Sequence, residues 1–104
     1  MQEQQERRIV TLLHVDVEGQ KAEAFTEKYR RFTPELLQNT PAMQQSLLGR
    51  NNAATESTSF VIVAQWQNEK AYRAWEESPE HRAALGPLRE YIKSFRSEAF
   101  ENIE

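Results

Sequence analysis

Phe60 to Leu85, FVIVAQWQNEKAYRAWEESPEHRAAL, decides the fold. It opens as an apolar strand that closes on Trp66. Alternation puts Phe60, Ile62, Ala64 and Trp66 on one face, and Ser59, Val61, Val63 and Gln65 on the other. Asn68 has the short acceptor side chain that caps a helix. Ala71, Tyr72 and Trp75 follow at i, i+1 and i+4 and share one side of that helix. Ser78-Pro79-Glu80 then marks a second helix start, with a hydroxyl cap, a ring of preset φ and an acid at the positive helix end. Both tryptophans and one of the three tyrosines fall within ten residues.

Working outward, Met43 to Arg50 reads as a weaker strand, and residues 51–55 as the hairpin loop joining it to the strand that begins at Ser57. Asn39-Thr40-Pro41 is a turn signal. Upstream, Ala22, Phe25, Tyr29, Phe32 and Leu36 step by 3, 4, 3 and 4, an amphipathic helix with one apolar face. Pro34 interrupts it, so a kink or a restarted turn capped by Thr33 is expected there. Arg8 to Val17 is β-branched and apolar, a strand. It carries Ile9, Thr11, Leu13, Val15 and Val17 on one face, with Val10, Leu12, His14 and Asp16 on the other. Residues 1–7 read as a frayed tail and 8–104 as a single domain. Downstream, Pro79 to Ile92 continues helical through Ala84, Leu85, Leu88 and Tyr91. A bend or a break is expected at Gly86-Pro87, because proline removes a donor and clashes with the preceding turn. Ser94 to Ile103 alternates as a last strand.

The order is βαββαβ: an α+β, ferredoxin-like split βαβ unit with a four-stranded antiparallel sheet. Helices on one side leave the other sheet face uncovered, and Val61, Val63, Leu13 and Val15 are expected to make it apolar. A second copy of the chain would cover it, so a homodimer joined through the sheets is expected.

Composition removes several function classes. The chain has 104 residues, no cysteine and a net charge of −3. Disulfides, thiolate chemistry and Cys-ligated metals are excluded. Basic residues are scattered, which gives no footprint for nucleic acid. No apolar run approaches the roughly 20 residues that span a bilayer, and the start lacks the apolar core of a secretory signal. A soluble cytoplasmic protein is the expectation. Mean hydropathy is −0.80, yet two tryptophans, three tyrosines and five phenylalanines remain, enough for a core.

The strand ending in Trp66 and the helix segment that follows, with Ala71-Tyr72, Ala74-Trp75 and Ser78-Pro79-Glu80-His81, resemble the antibiotic biosynthesis monooxygenase (ABM) family of the dimeric α+β barrel group. The resemblance implies two such sheets closed into a barrel across a two-fold. It implies monooxygenase chemistry on a small aromatic substrate, of quinol or anthrone type, using O2 with no cofactor and no metal. Trp66 and Tyr72 match the positions that line the substrate pocket in the anthrone oxygenases. Ile62 stands where those enzymes carry Asn. Phe25, Tyr29, Ile62, Ala64, Trp75, Leu85 and Arg82 are the further candidates for the pocket wall, on the pattern of apolar walls with a few placed polar groups. His14 is the candidate base, since imidazole is the side chain that ordinarily titrates near neutrality. Arg82 or Arg89 could hold an oxyanion. A second reading follows the family's haem-degrading members, whose helix His and strand-1 Asn correspond here to Leu85 and Leu12. His81, among charged neighbours, reads as a solvated residue. A third reading is a non-catalytic, ligand-binding or stress-associated dimer.

Overall fold

The computed structural model describes residues 7–51 and 58–103. The expected tail thus lies almost wholly outside the described residues, as does most of the expected hairpin loop at 51–55.

The elements run β1 (Ile9–Val17), a 3-10 turn (Gly19–Lys21), α1 (Ala22–Asn39), β2 (Met43–Arg50), β3 (Thr58–Trp66), α2 (Glu69–Glu76), α3 (Pro79–Arg89) and β4 (Ile92–Glu101). The sheet order is β2-β3-β1-β4, all neighbours antiparallel. This is the expected ferredoxin-like α+β fold. Among the described residues no helix is long and apolar enough to cross a membrane.

Register fixes what each face carries. Ile9 lies opposite Trp66, Thr11 opposite Ala64, Leu13 opposite Ile62 and Val15 opposite Phe60. Opposed residues share a face, so these rows all look toward the helices. There Val15, Val17, Ala22, Phe25, Phe60 and Leu88 form one buried cluster, and Ile9, Met43, Ala64 and Trp66 form a second. Phe25 is fully buried with its ring centroid 4.9 Å from that of Phe60. Burying a side chain of that size stabilises by about 1.5–3 kcal/mol.

Several expectations are corrected. Leu13 and Val15 belong to the helix face; β1 gives the uncovered face Val10, Leu12, His14 and Asp16, opposite Gln65, Val63, Val61 and Ser59. α1 runs through Pro34 as one helix, with no restarted turn. Pro34 is exposed, so the Arg30 carbonyl that loses its partner sits on the side where water can replace it. Thr33 is not a cap: it is buried, and its hydroxyl donates back to the Tyr29 carbonyl at 2.6 Å. α3 likewise runs through an exposed Pro87 but ends at Arg89, and β4 begins at Ile92 rather than Ser94.

The uncovered face is mixed. Leu47 and Phe100 are 53% and 48% exposed on it. His14 and Glu98 meet at 3.0 Å, and the Asp16 carboxylate accepts from the hydroxyls of Ser59 and Ser94. These two hydrogen bonds hold the Asp16 carboxyl below its ordinary pKa. The edge strand β4 is largely exposed along its length.

Candidate functional site

Between the helix face of the sheet and the three helices lies a cavity of about 590 Å³, open on one side. Ligand pockets commonly span about 300–1,000 Å³.

Its aromatic wall is set by two caps. β3 ends on Trp66, which is 2% exposed, and the indole Nε1 donates to Thr11 Oγ1 at 3.1 Å. The chain turns at Asn68, whose Oδ1 accepts from the Ala71 amide at 2.8 Å and starts α2. That phase places Tyr72 and Trp75 against Trp66, with ring centroids 5.4 and 5.9 Å away. Ser78 then caps α3 by accepting from the His81 amide at 3.2 Å. The cap brings the His81 ring edge-on to Trp75, 5.5 Å between centroids. Small Ala64, at 6% exposure, leaves room on the sheet side.

The polar groups are few and mostly engaged. The Tyr29 hydroxyl lies 2.7 Å from Ser46 Oγ. The Tyr72 hydroxyl donates to Glu76 Oε2 at 3.2 Å. Burial, and then the neighbouring Glu76 charge, push the Tyr72 phenol above its ordinary value of 10. It therefore stays protonated near neutral pH, as a donor. His81, Arg89, Lys93, Ser94 and Ser97 complete the polar lining. Among the described residues no group of three or more His, Asp or Glu side chains could hold a metal ion.

Of the residues singled out from the sequence, Trp66, Tyr72, Tyr29, Ile62, Ala64, Trp75 and Leu85 line this cavity together. Three do not. His14 is on β1 one residue out of phase with Leu13, and so stands on the opposite sheet face beside Glu98. Phe25 sits four residues before Tyr29, where α1 first meets the cavity, and is enclosed in the other core cluster. Arg82 is exposed on the outer side of α3. The sequence reading missed Thr11, the partner of Trp66, and placed His81 in solvent. The signal for His81 was its phase: it precedes Leu85 by four residues and Leu88 by seven, so the three share one helix side.

The sequence matches the family described as antibiotic biosynthesis monooxygenase over residues 8–86. No curated protein matches it. Among solved structures, SnoaB from Streptomyces nogalater, described as a cofactor-independent oxygenase, is similar with a TM-score of 0.73 at 20% identity, covering 94% of this chain and 95% of its own. An ABM protein from Nitrosomonas europaea is similar at 0.76 and 17% identity, over 98% and 96% of the two chains. A dimeric protein of ferredoxin-like fold from Bacteroides fragilis is similar at 0.74 and 14% identity, over 91% and 96%. At these identities the structural likeness speaks for the fold, while the family match spans most of the chain. This chain belongs to the antibiotic biosynthesis monooxygenase family.

Proposed function

We propose that the protein is a cofactor-independent monooxygenase that oxidises a small aromatic substrate, of quinol or anthrone type, with O2 in the cavity beneath Trp66. The observation that carries this reading is the cavity itself. Two indoles and a phenol converge on one wall, with apolar residues around them and few polar groups. Family membership and the SnoaB likeness point the same way.

The chemistry asks little of the protein. A methylene flanked by aromatic rings loses a proton and its carbanion adds O2. The hydroperoxide then loses water to leave a carbonyl, so CH2 and O2 become C=O and H2O with no external reductant. The protein's work is to bind the ring system, aid proton loss and keep bulk water from the intermediate. Trp66 and Trp75 offer ring faces for stacking. The Tyr72 hydroxyl, protonated and anchored on Glu76, is a fixed donor beside them.

We read the uncovered sheet face as covered by a second copy of the chain, which would make the active form a homodimer. Exposed Leu47 and Phe100 on that face favour this. The haem reading fits less well: Leu85 and Leu12 hold the ligand positions implied by the haem-degrading relatives, and neither has a donor atom.

Oxygen uptake with a panel of anthrones and hydroquinones, without metal or flavin, tests the proposal. Trp66→Phe and Tyr72→Phe are each expected to lower uptake by about tenfold or more, one well-placed interaction's worth, with the fold retained by circular dichroism. Uptake no faster than the uncatalysed rate across the panel would overturn it.

A further inference from the structure

The charges around the cavity do not balance. Six titratable side chains line it: Tyr29, Tyr72, Glu76, His81, Arg89 and Lys93. Three are already engaged. Tyr29 is bonded to Ser46, Tyr72 donates to Glu76, and Glu76 also pairs with Arg73 at 3.6 Å. The other three make no salt bridge or hydrogen bond among the described residues, and the His81 imidazole makes only its ring contact with Trp75, while the Lys93 charge also acts on the Asp16 carboxylate across the β1–β4 pair. The single carboxylate on the wall is thus spent inside the protein, while Arg89 and the His81 imidazole remain uncommitted and Lys93 is shared only with the more distant Asp16.

Their positions follow from one helix phase. The Ser78 cap starts α3 so that His81, Leu85, Leu88 and Arg89 fall on the cavity side at i, i+4, i+7 and i+8. Lys93 follows in β4, at the open side beside Phe95. The imidazole therefore lies among aromatic rings, and the cations stand where the cavity meets solvent.

We propose that the cavity takes its aromatic ligand as an oxyanion, with His81 accepting the phenolic or enolic proton and Arg89 and Lys93 supplying the counter-charge. The O–H bond of the ligand breaks, its electron pair stays on oxygen, and the proton moves to a free ring nitrogen of His81. Phenolate and imidazolium result, with no change of oxidation state. The apolar wall strengthens the contact between phenolate and imidazolium, because charges attract more strongly where water is excluded, while the two cations act from the solvent edge. This rests on the monooxygenase reading for the use of the cavity, and names the ionic state in which that cavity holds its substrate.

The probe is 4-nitrophenol, whose phenolate absorbs visible light, against its neutral ether 4-nitroanisole. Binding is followed by tryptophan fluorescence at a pH where the free phenol is mostly protonated. The intact protein is expected to bring up the phenolate band and to bind nitrophenol about tenfold or more over the ether, the effect of one charge-assisted contact. His81→Gln is expected to bind the phenol without raising the band. Arg89→Gln with Lys93→Gln, both at exposed positions, is expected to bring the preference down to near one. A band as strong in His81→Gln as in the parent overturns the role of His81. Equal binding of phenol and ether with no band overturns the oxyanion site while leaving an aromatic cavity. Failure of both probes to bind overturns the oxyanion site and the monooxygenase reading together.

Discussion

Consider the hydrogen bond between Trp66 and Thr11. The indole is 2% exposed and its N–H donates to Thr11 Oγ1 at 3.1 Å. Thr11→Val keeps the shape and the β-branching of the strand but removes the acceptor. A buried N–H left without a partner costs about 1–3 kcal/mol. Trp66→Phe deletes the donor, for about 1 kcal/mol. It also removes part of the ring contact with Tyr72 and Trp75, each such pair being worth about 0.5–1.5 kcal/mol. Its total is therefore about 2–4 kcal/mol. In the Trp66→Phe background the Thr11→Val change leaves no N–H stranded, so its cost falls toward zero. The double variant should be less destabilised than the sum of the singles, by about 1 kcal/mol or more. A domain of this size has about 5–15 kcal/mol in hand, so all three variants fold. Urea titration followed by far-ultraviolet circular dichroism measures the cycle, with m unchanged if only stability moves. Additivity within about 0.3–0.5 kcal/mol would refute the claim that this bond holds Trp66 in place.

Three further outcomes are expected. Phe25→Ala should cost about 3–5 kcal/mol, yet leave ligand affinity of the folded protein unchanged, because Phe25 packs on Phe60 away from the cavity; isothermal titration of the folded variant checks this. The Asp16 carboxyl, lowered by its hydrogen bonds from Ser59 and then Ser94, contributes stability that is present above its unfolded value of 3.8 and lost as pH falls through the folded value. Acid titration of stability should therefore be shallower in Asp16→Asn below about pH 4. Sedimentation should give the intact chain twice its 12.2 kDa mass, and Val63→Asp, on the uncovered face, should sediment as a folded monomer; a monomeric parent would remove the homodimer.

Much of the fold is legible in the sequence because local chemistry and long-range packing agree there. Asn68 and Ser78 cap the helices they were expected to cap, and β1 and β3 alternate as read. The two prolines mislead because a local rule is relaxed by position. Pro34 and Pro87 both sit on exposed helix sides, so the lost bond costs less than it would in the core. Tyr91 and Ile92 continue an apolar stripe whose period alone does not say where the helix stops. The site is less legible than the fold. Trp66, Tyr72 and Trp75 announce themselves as a cluster, but His14 and His81 exchange their expected places. One residue of strand phase sends His14 to the far face, and one capped turn sets His81 on the cavity wall. Neither follows from residue type; both follow from the face that each backbone phase presents.

The edge strand β4 has a consequence for association of a different kind. An exposed edge offers unpaired amides and carbonyls to any extended chain. β4 also carries Phe95 and Phe100, 65% and 48% exposed, the sort of strand on which fibres grow. Along it, however, stand Lys93, Arg96, Glu98 and Glu101. In a cross-β stack of identical strands, copies repeat about every 4.7–4.8 Å. Arg96 would then lie on Arg96 and Glu98 on Glu98 up the whole column. Each of these charges is tolerable in one molecule and ruinous when repeated, so the same strand that leaves the cavity open also resists becoming a template.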